Sequence, residues 1–169
     1  MKKILISLVS LLVFTSCVLH VYRFTSVNYN NSRISISAGL VNSEDEKSPV
    51  EYIGVSDVRS NVNTPHKVKI LSSTIKIIDS NNKEYIAKTN SNSGYIHIYK
   101  QGVVITDDFK VYIGKVQLDD GTIIDIPPLS FKKTVYVERY SVISDTINAG
   151  GRGKEIFSGT VEDYKKQKK

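Results

Sequence analysis

Thr74-Ile75-Lys76-Ile77, then Asp79-Ser80-Asn81-Asn82-Lys83, then the segment from Glu84 to Thr89 form the stretch that decides the fold class. In the first part apolar and polar residues alternate with a period of two, which puts one side chain on each face of a strand in turn. The middle part is rich in Asp, Ser and Asn, residues that bond their own backbone or tolerate positive φ, and it reads as a hairpin loop. The third part returns to alternation. The three together predict two antiparallel strands.

The same pattern recurs outward in both directions. Arg33-Ile34-Ser35-Ile36-Ser37, Val50-Glu51-Tyr52-Ile53-Gly54-Val55 and Lys67-Val68-Lys69-Ile70 alternate in the same way. Val18 to Thr25, Tyr95 to Tyr99, Val103 to Thr106, Phe109 to Leu118, Thr122 to Ile126 and Phe131 to Val142 complete the set, rich in the β-branched and aromatic residues that suit a pleated surface. Asp119-Asp120-Gly121 supplies a second hairpin turn, and Pro127-Pro128, which cannot donate to a ladder, ends a strand. Residues 42–49 and Ser56 to Pro65 read as solvated loops. The expectation is an all-β domain, an antiparallel β-sandwich of immunoglobulin-like or related type.

The N-terminus has another logic. Lys2-Lys3 precede an apolar run from Ile4 to Phe14, followed by Thr15-Ser16 and by Cys17, the single cysteine of the chain. Positive, apolar and small-residue regions in that order mark an export signal. The run is too short for a helix that spans a bilayer, which needs about 20 residues. The arrangement resembles the bacterial lipoprotein signal, with Phe14 where an aliphatic residue is usual. The resemblance implies removal of residues 1–16, lipid on Cys17 and a place in the cell envelope. Val18 stands where an aspartate would hold a Gram-negative lipoprotein at the inner membrane, which implies the outer membrane, facing the periplasm. The chain then divides into a signal peptide (1–16), a lipidated cysteine with a membrane-proximal stalk or first strand (17–32), the sandwich (33–143) and a flexible basic tail containing a short helix (144–169).

Charge is informative once the ends are set aside. Of the 23 Lys and Arg, two lie in the signal and six in residues 150–169, so 15 face 14 acidic residues between Cys17 and Ala149. A near-neutral body has no nucleic-acid footprint. Gly150 to Glu155 lacks the glycine and the Ser/Thr of a phosphate loop. His20, His66 and His97 lie in separate segments, and Asp107-Asp108 and Asp119-Asp120 suit turns better than a calcium loop. The sequence therefore indicates no catalytic residues, no metal and no cofactor.

What remains is a binding or scaffolding module of the envelope, whose partners are the membrane, through Cys17, and an envelope protein or secreted enzyme. Inhibition of a toxic or lytic enzyme is the alternative, and a cell-wall enzyme the third reading. Ser93-Gly94-Tyr95 with Tyr99-Lys100-Gln101-Gly102 loosely resembles the inhibitory loop of periplasmic lysozyme inhibitors, but His97 stands where that family has tyrosine, and its tryptophan has no counterpart. Alternation places Tyr95, His97 and Tyr99 on one face of a strand, opposite Ile96 and Ile98. It places Tyr136, Glu138 and Tyr140 opposite Val135 and Val137. Tyr95, His97, Tyr99, Tyr136 and Tyr140 are thus the candidate partner-binding residues, since tyrosine offers a large amphipathic contact at low entropic cost.

Overall fold

The computed structural model describes residues 16–27, 29–61, 63–90, 93–141 and 153–168. The signal region, apart from Ser16, lies outside the described residues, as do 142–152. The chain forms two compact units, Tyr22–Thr134 and the two ends, Met1–Val21 with Val135–Lys169. Strands β1 (Ser16–Val27) and β11 (Leu129–Ser141) contribute residues to both. The fold is all-β and antiparallel, as the alternation predicts.

In the larger unit the chain runs through β2 (Ile34–Leu40), β3 (Val50–Asp57), β4 (Val68–Ile70), β5 (Thr74–Asp79), β6 (Glu84–Lys88), β7 (Tyr95–Ile96), β8 (Phe109–Tyr112), β9 (Gly114–Leu118) and β10 (Ile123–Ile126). One sheet has the order β6-β5-β8-β11-β1-β2-β3-β7, and a second has the order β10-β9-β4. The β5–β6 hairpin pairs Thr74 with Lys88 and Ile77 with Tyr85, which turns Ile75, Ile77 and Ala87 into the core. Val68, Ile70, Val116, Leu118 and Ile126 of the small sheet join the same apolar cluster as Ile53, Val111 and Phe131 of the large one. Phe109 and Phe131 stack at 4.9 Å and Phe24 meets Phe109 edge-on at 5.2 Å, filling its middle.

Two departures from the sequence reading have local causes. The expected strand from Phe109 to Leu118 is two strands, because Gly114 adopts φ 81°, a left-handed turn that hands the chain from the large sheet to the small one. The strand expected over Tyr95–Tyr99 stops at Ile96, and a 3₁₀ turn follows at Tyr99–Gln101, closed by Gly102 at φ 79°. That turn redirects the backbone, so Val103–Thr106 joins no ladder. Val103 and Ile105 are buried all the same, and Ile105 accepts a bond from the Val50 amide at 2.8 Å. Alternation had reported burial there, not pairing.

The smaller unit holds Cys17 in β1 with its side chain exposed, so the chain is already a strand there. Where a frayed tail was expected, β12 (Lys154–Thr160) pairs with β11, and a helix α1 (Val161–Gln167) follows. Thr160 caps the helix by accepting a bond from the Asp163 amide at 3.1 Å. Tyr164 bonds His20 of β1 at 2.8 Å and packs on Phe157 at 5.1 Å, although no residue of β12 or α1 is buried.

Candidate interaction site

The outer face of β2 and β3 is built from small residues. Ser35 pairs with Ser56, Ser37 with Gly54, and Gly39 with Tyr52. The next register position pairs Gly54 with Tyr95 of β7. Each tyrosine ring lies over the glycine opposite it: a Cβ on Gly39 would sit 2.3 Å from the Tyr52 ring, and one on Gly54 would sit 2.7 Å from that of Tyr95. A side chain at either position would have to displace the ring from the place it occupies.

The two rings meet edge-on at 5.5 Å, and His97 meets Tyr52 edge-on at 6.1 Å. Ile96 and Ile98 are buried while Tyr95 and Tyr99 are 46% and 45% exposed and His97 is exposed as well. Three of the expected residues therefore emerge from one segment, although Tyr99 does so from the 3₁₀ turn. The sequence did not single out Tyr52. It lies 43 positions from Tyr95, and only the register between β3 and β7 brings the rings together. Tyr136 and Tyr140 lie in the other unit, and both donate hydrogen bonds to Glu138 between them. That bond, with partial burial, pushes the Tyr136 hydroxyl up to about 12.

Beside Tyr95 is a cleft of about 220 Å³ lined by Ser56, Ser60, His66, Lys67 and Ser93 among others. His66 Nδ1 is 2.6 Å from Asp119 Oδ2, at the β9–β10 turn. Asp119 belongs to a charged cluster that the sequence scattered over loops. Arg59 donates from Nε and a terminal nitrogen to Asp57, at 3.0 and 2.6 Å, and reaches Asp119 and Asp120 at 3.5 Å. Arg33 bonds Asp120 at 2.5 Å. Asp57 is fully buried at its side chain, and the bond from Arg59 holds its carboxyl down at about 2. Asp120 is also lowered, chiefly by its bonds to Thr122 and then by Arg33, and Arg59 is raised by Asp57.

Ligand atoms of Asp57, His66 and Asp119 lie within 4.8 Å of one another, a spacing a metal ion accepts. The Arg59 guanidinium is hydrogen-bonded at this place, so the positive charge these carboxylates need is supplied by the protein itself. The cluster ties the end of β3, the loop after it and the β9–β10 turn to the start of β2.

Comparisons with protein-family models, with curated proteins and with solved structures give no match for this chain. The aromatic shelf formed by Tyr52, Tyr95 and His97, and the cleft beside it, must be read from their own geometry.

Proposed function

We propose that this chain is a lipid-anchored β-domain of the cell envelope that binds another protein through the outer face of β3 and β7. The observation that carries the reading is the aromatic shelf: rings of Tyr52 and Tyr95 laid over glycines, with His97 against them and Tyr99 close by in sequence. Rings fixed by packing lose little entropy on binding, and tyrosine presents an apolar face together with a hydroxyl. Near the sheet edge such a surface suits a protein partner. We also read the two sheets as the layers of a sandwich, since side chains of both meet in one core.

The anchor rests on the export signal and on Cys17, exposed in β1. In a Gram-negative cell the domain would face the periplasm from the outer membrane. Two linked lipid chains hold a protein firmly where one gives only marginal binding. Cys17→Ala is expected to leave the precursor unprocessed or to release the protein from membranes; unchanged fractionation and migration would refute the anchor. The binding role is tested by Tyr95→Ser with Tyr99→Ser, reading both melting temperature and recovery of co-purifying proteins. Loss of a partner at unchanged melting temperature supports the role. Full retention of every partner, or loss of stability alone, rejects it.

A further inference from the structure

The cleft beside Tyr95 is separate in chemistry from the aromatic shelf, and its lining is unusual for so near-neutral a domain. Lys67 and His66 are its only titratable lining side chains besides the Tyr95 phenol, and no carboxylate lines it. The larger cleft of about 350 Å³, at the β5–β6 hairpin, differs: Lys110 and Lys132 are accompanied there by Asp79 and Asp108. Lys67 has no ion pair among the described residues.

The hydroxyls are arranged as donors. Ser60 Oγ accepts the His66 amide at 3.1 Å, and Ser93 Oγ accepts the Tyr95 amide at 3.0 Å. Each keeps its own O–H proton for another acceptor. His66 Nδ1 faces Asp119 Oδ2 at 2.6 Å, and this contact orients the ring. Asp57, whose carboxylate lies within 4.8 Å of the His66 ligand nitrogen, is bonded by Arg59 at 2.6 Å. Lys67, the imidazole that Asp119 orients and serine residues thus surround one small cavity whose lining holds no carboxylate.

We infer that this cleft binds an oxyanion group, a phosphate or a carboxylate, with Lys67 supplying the charge and Ser60, Ser93 and His66 the hydrogen bonds. A volume of about 220 Å³ admits a small anion or the anionic end of a larger ligand. The inference stands apart from the protein-binding role of the shelf, since free anions need no aromatic contact.

The test is titration of the isotope-labelled full-length chain in detergent with inorganic phosphate and, separately, with acetate. Amide shifts are followed at Ser56, His66, Lys67 and Gly94. Saturable shifts are expected with at least one of the two, which assigns the source. Lys67→Met should weaken binding at least about tenfold, the loss of one charge-assisted hydrogen bond. His66→Gln, which keeps a hydrogen-bond donor, should weaken it by less, and Lys110→Met should leave it unchanged. Absence of saturable shifts with both anions overturns the proposal, as does equal affinity in Lys67→Met and the parent, or equal weakening by Lys67→Met and Lys110→Met. A Tyr99→Ser variant that loses a protein partner yet keeps phosphate or acetate binding would separate the two roles.

Discussion

Replacing either partner of the Asp57–Arg59 pair should destabilise the domain, but unequally. Asp57 is inaccessible at its side chain, whereas Arg59 is 43% exposed. In Asp57→Asn the freed guanidinium still reaches Asp119 and Asp120 at 3.5 Å, and water reaches it too. The cost is then the lost stabilisation of the carboxylate. Its carboxyl is lowered from 3.8 to about 2; at 1.36 kcal/mol per pH unit this is roughly 2.4 kcal/mol, reduced to about 1.5–2 by solvent around the exposed partner. Arg59→Met leaves a carboxylate buried without its main partner, and about 3 kcal/mol or more is expected. A lowered carboxyl stabilises fully above its unfolded value near 3.8, and that stability is lost as pH falls through about 2. The deficit of Asp57→Asn, measured by urea unfolding followed by circular dichroism, should therefore shrink to about half at pH 3 relative to pH 7. An equal deficit at both pH values, or an Arg59→Met variant more stable than Asp57→Asn, would refute this account.

Two other substitutions probe the scaffold. Gly114→Ala forces alanine to φ 81° and brings its Cβ to 3.2 Å from Ser72 Oγ, whereas Gly121, at φ 83°, faces open space. Each should cost about 1 kcal/mol for the left-handed backbone, with Gly114→Ala the greater in thermal unfolding; a larger loss in Gly121→Ala would argue against Gly114 as the corner between sheets. Lys133 is 6% exposed, donates to the Thr106 carbonyl at 2.6 Å and to that of Glu46, and lies 5.5 Å from the Phe24 ring. Lys133→Met should cost at least about 2 kcal/mol for carbonyls left without their donor, with faster amide exchange in residues 42–49; neutral stability with unchanged exchange would show the lysine to be dispensable.

Legibility in the sequence followed the range of the interaction. The β5–β6 hairpin and the β9–β10 turn were readable because strand period and turn chemistry are local. Parity also places Lys133 inward with Phe131 and Val135, yet its charge argues for solvent, and only the carbonyls of two distant loops resolve the conflict. The charged cluster was invisible for the opposite reason. Asp57, His66 and Asp119 come from a strand end, a loop and a turn, where no period constrains direction, so His66 reads as an isolated histidine and Asp119 as a turn residue. In the tail the short helix was legible, and the strand β12 was not: it pairs with β11, and glycine and lysine content gives no sign of such pairing.

The glycines beneath the aromatic shelf bear on what the tyrosines do. A sheet face of Ser35, Ser37, Gly39, Gly54 and Ser56 has few side chains to pack, and such a face is weak by strand propensity. The rings of Tyr52 and Tyr95 cover that backbone and shield its hydrogen bonds, so part of their effect is structural, of the order of 0.2–1 kcal/mol for a cross-strand pair. A purely structural role needs ring area and no hydroxyl, and it gains nothing from leaving nearly half of Tyr95 in solvent. Each ring already lies over its glycine in the chain alone, so in the proposed role the surface would need little ordering on encounter. The same two glycines thus make room for the rings on a weak sheet face, and in the proposed role that placement is what a partner would meet.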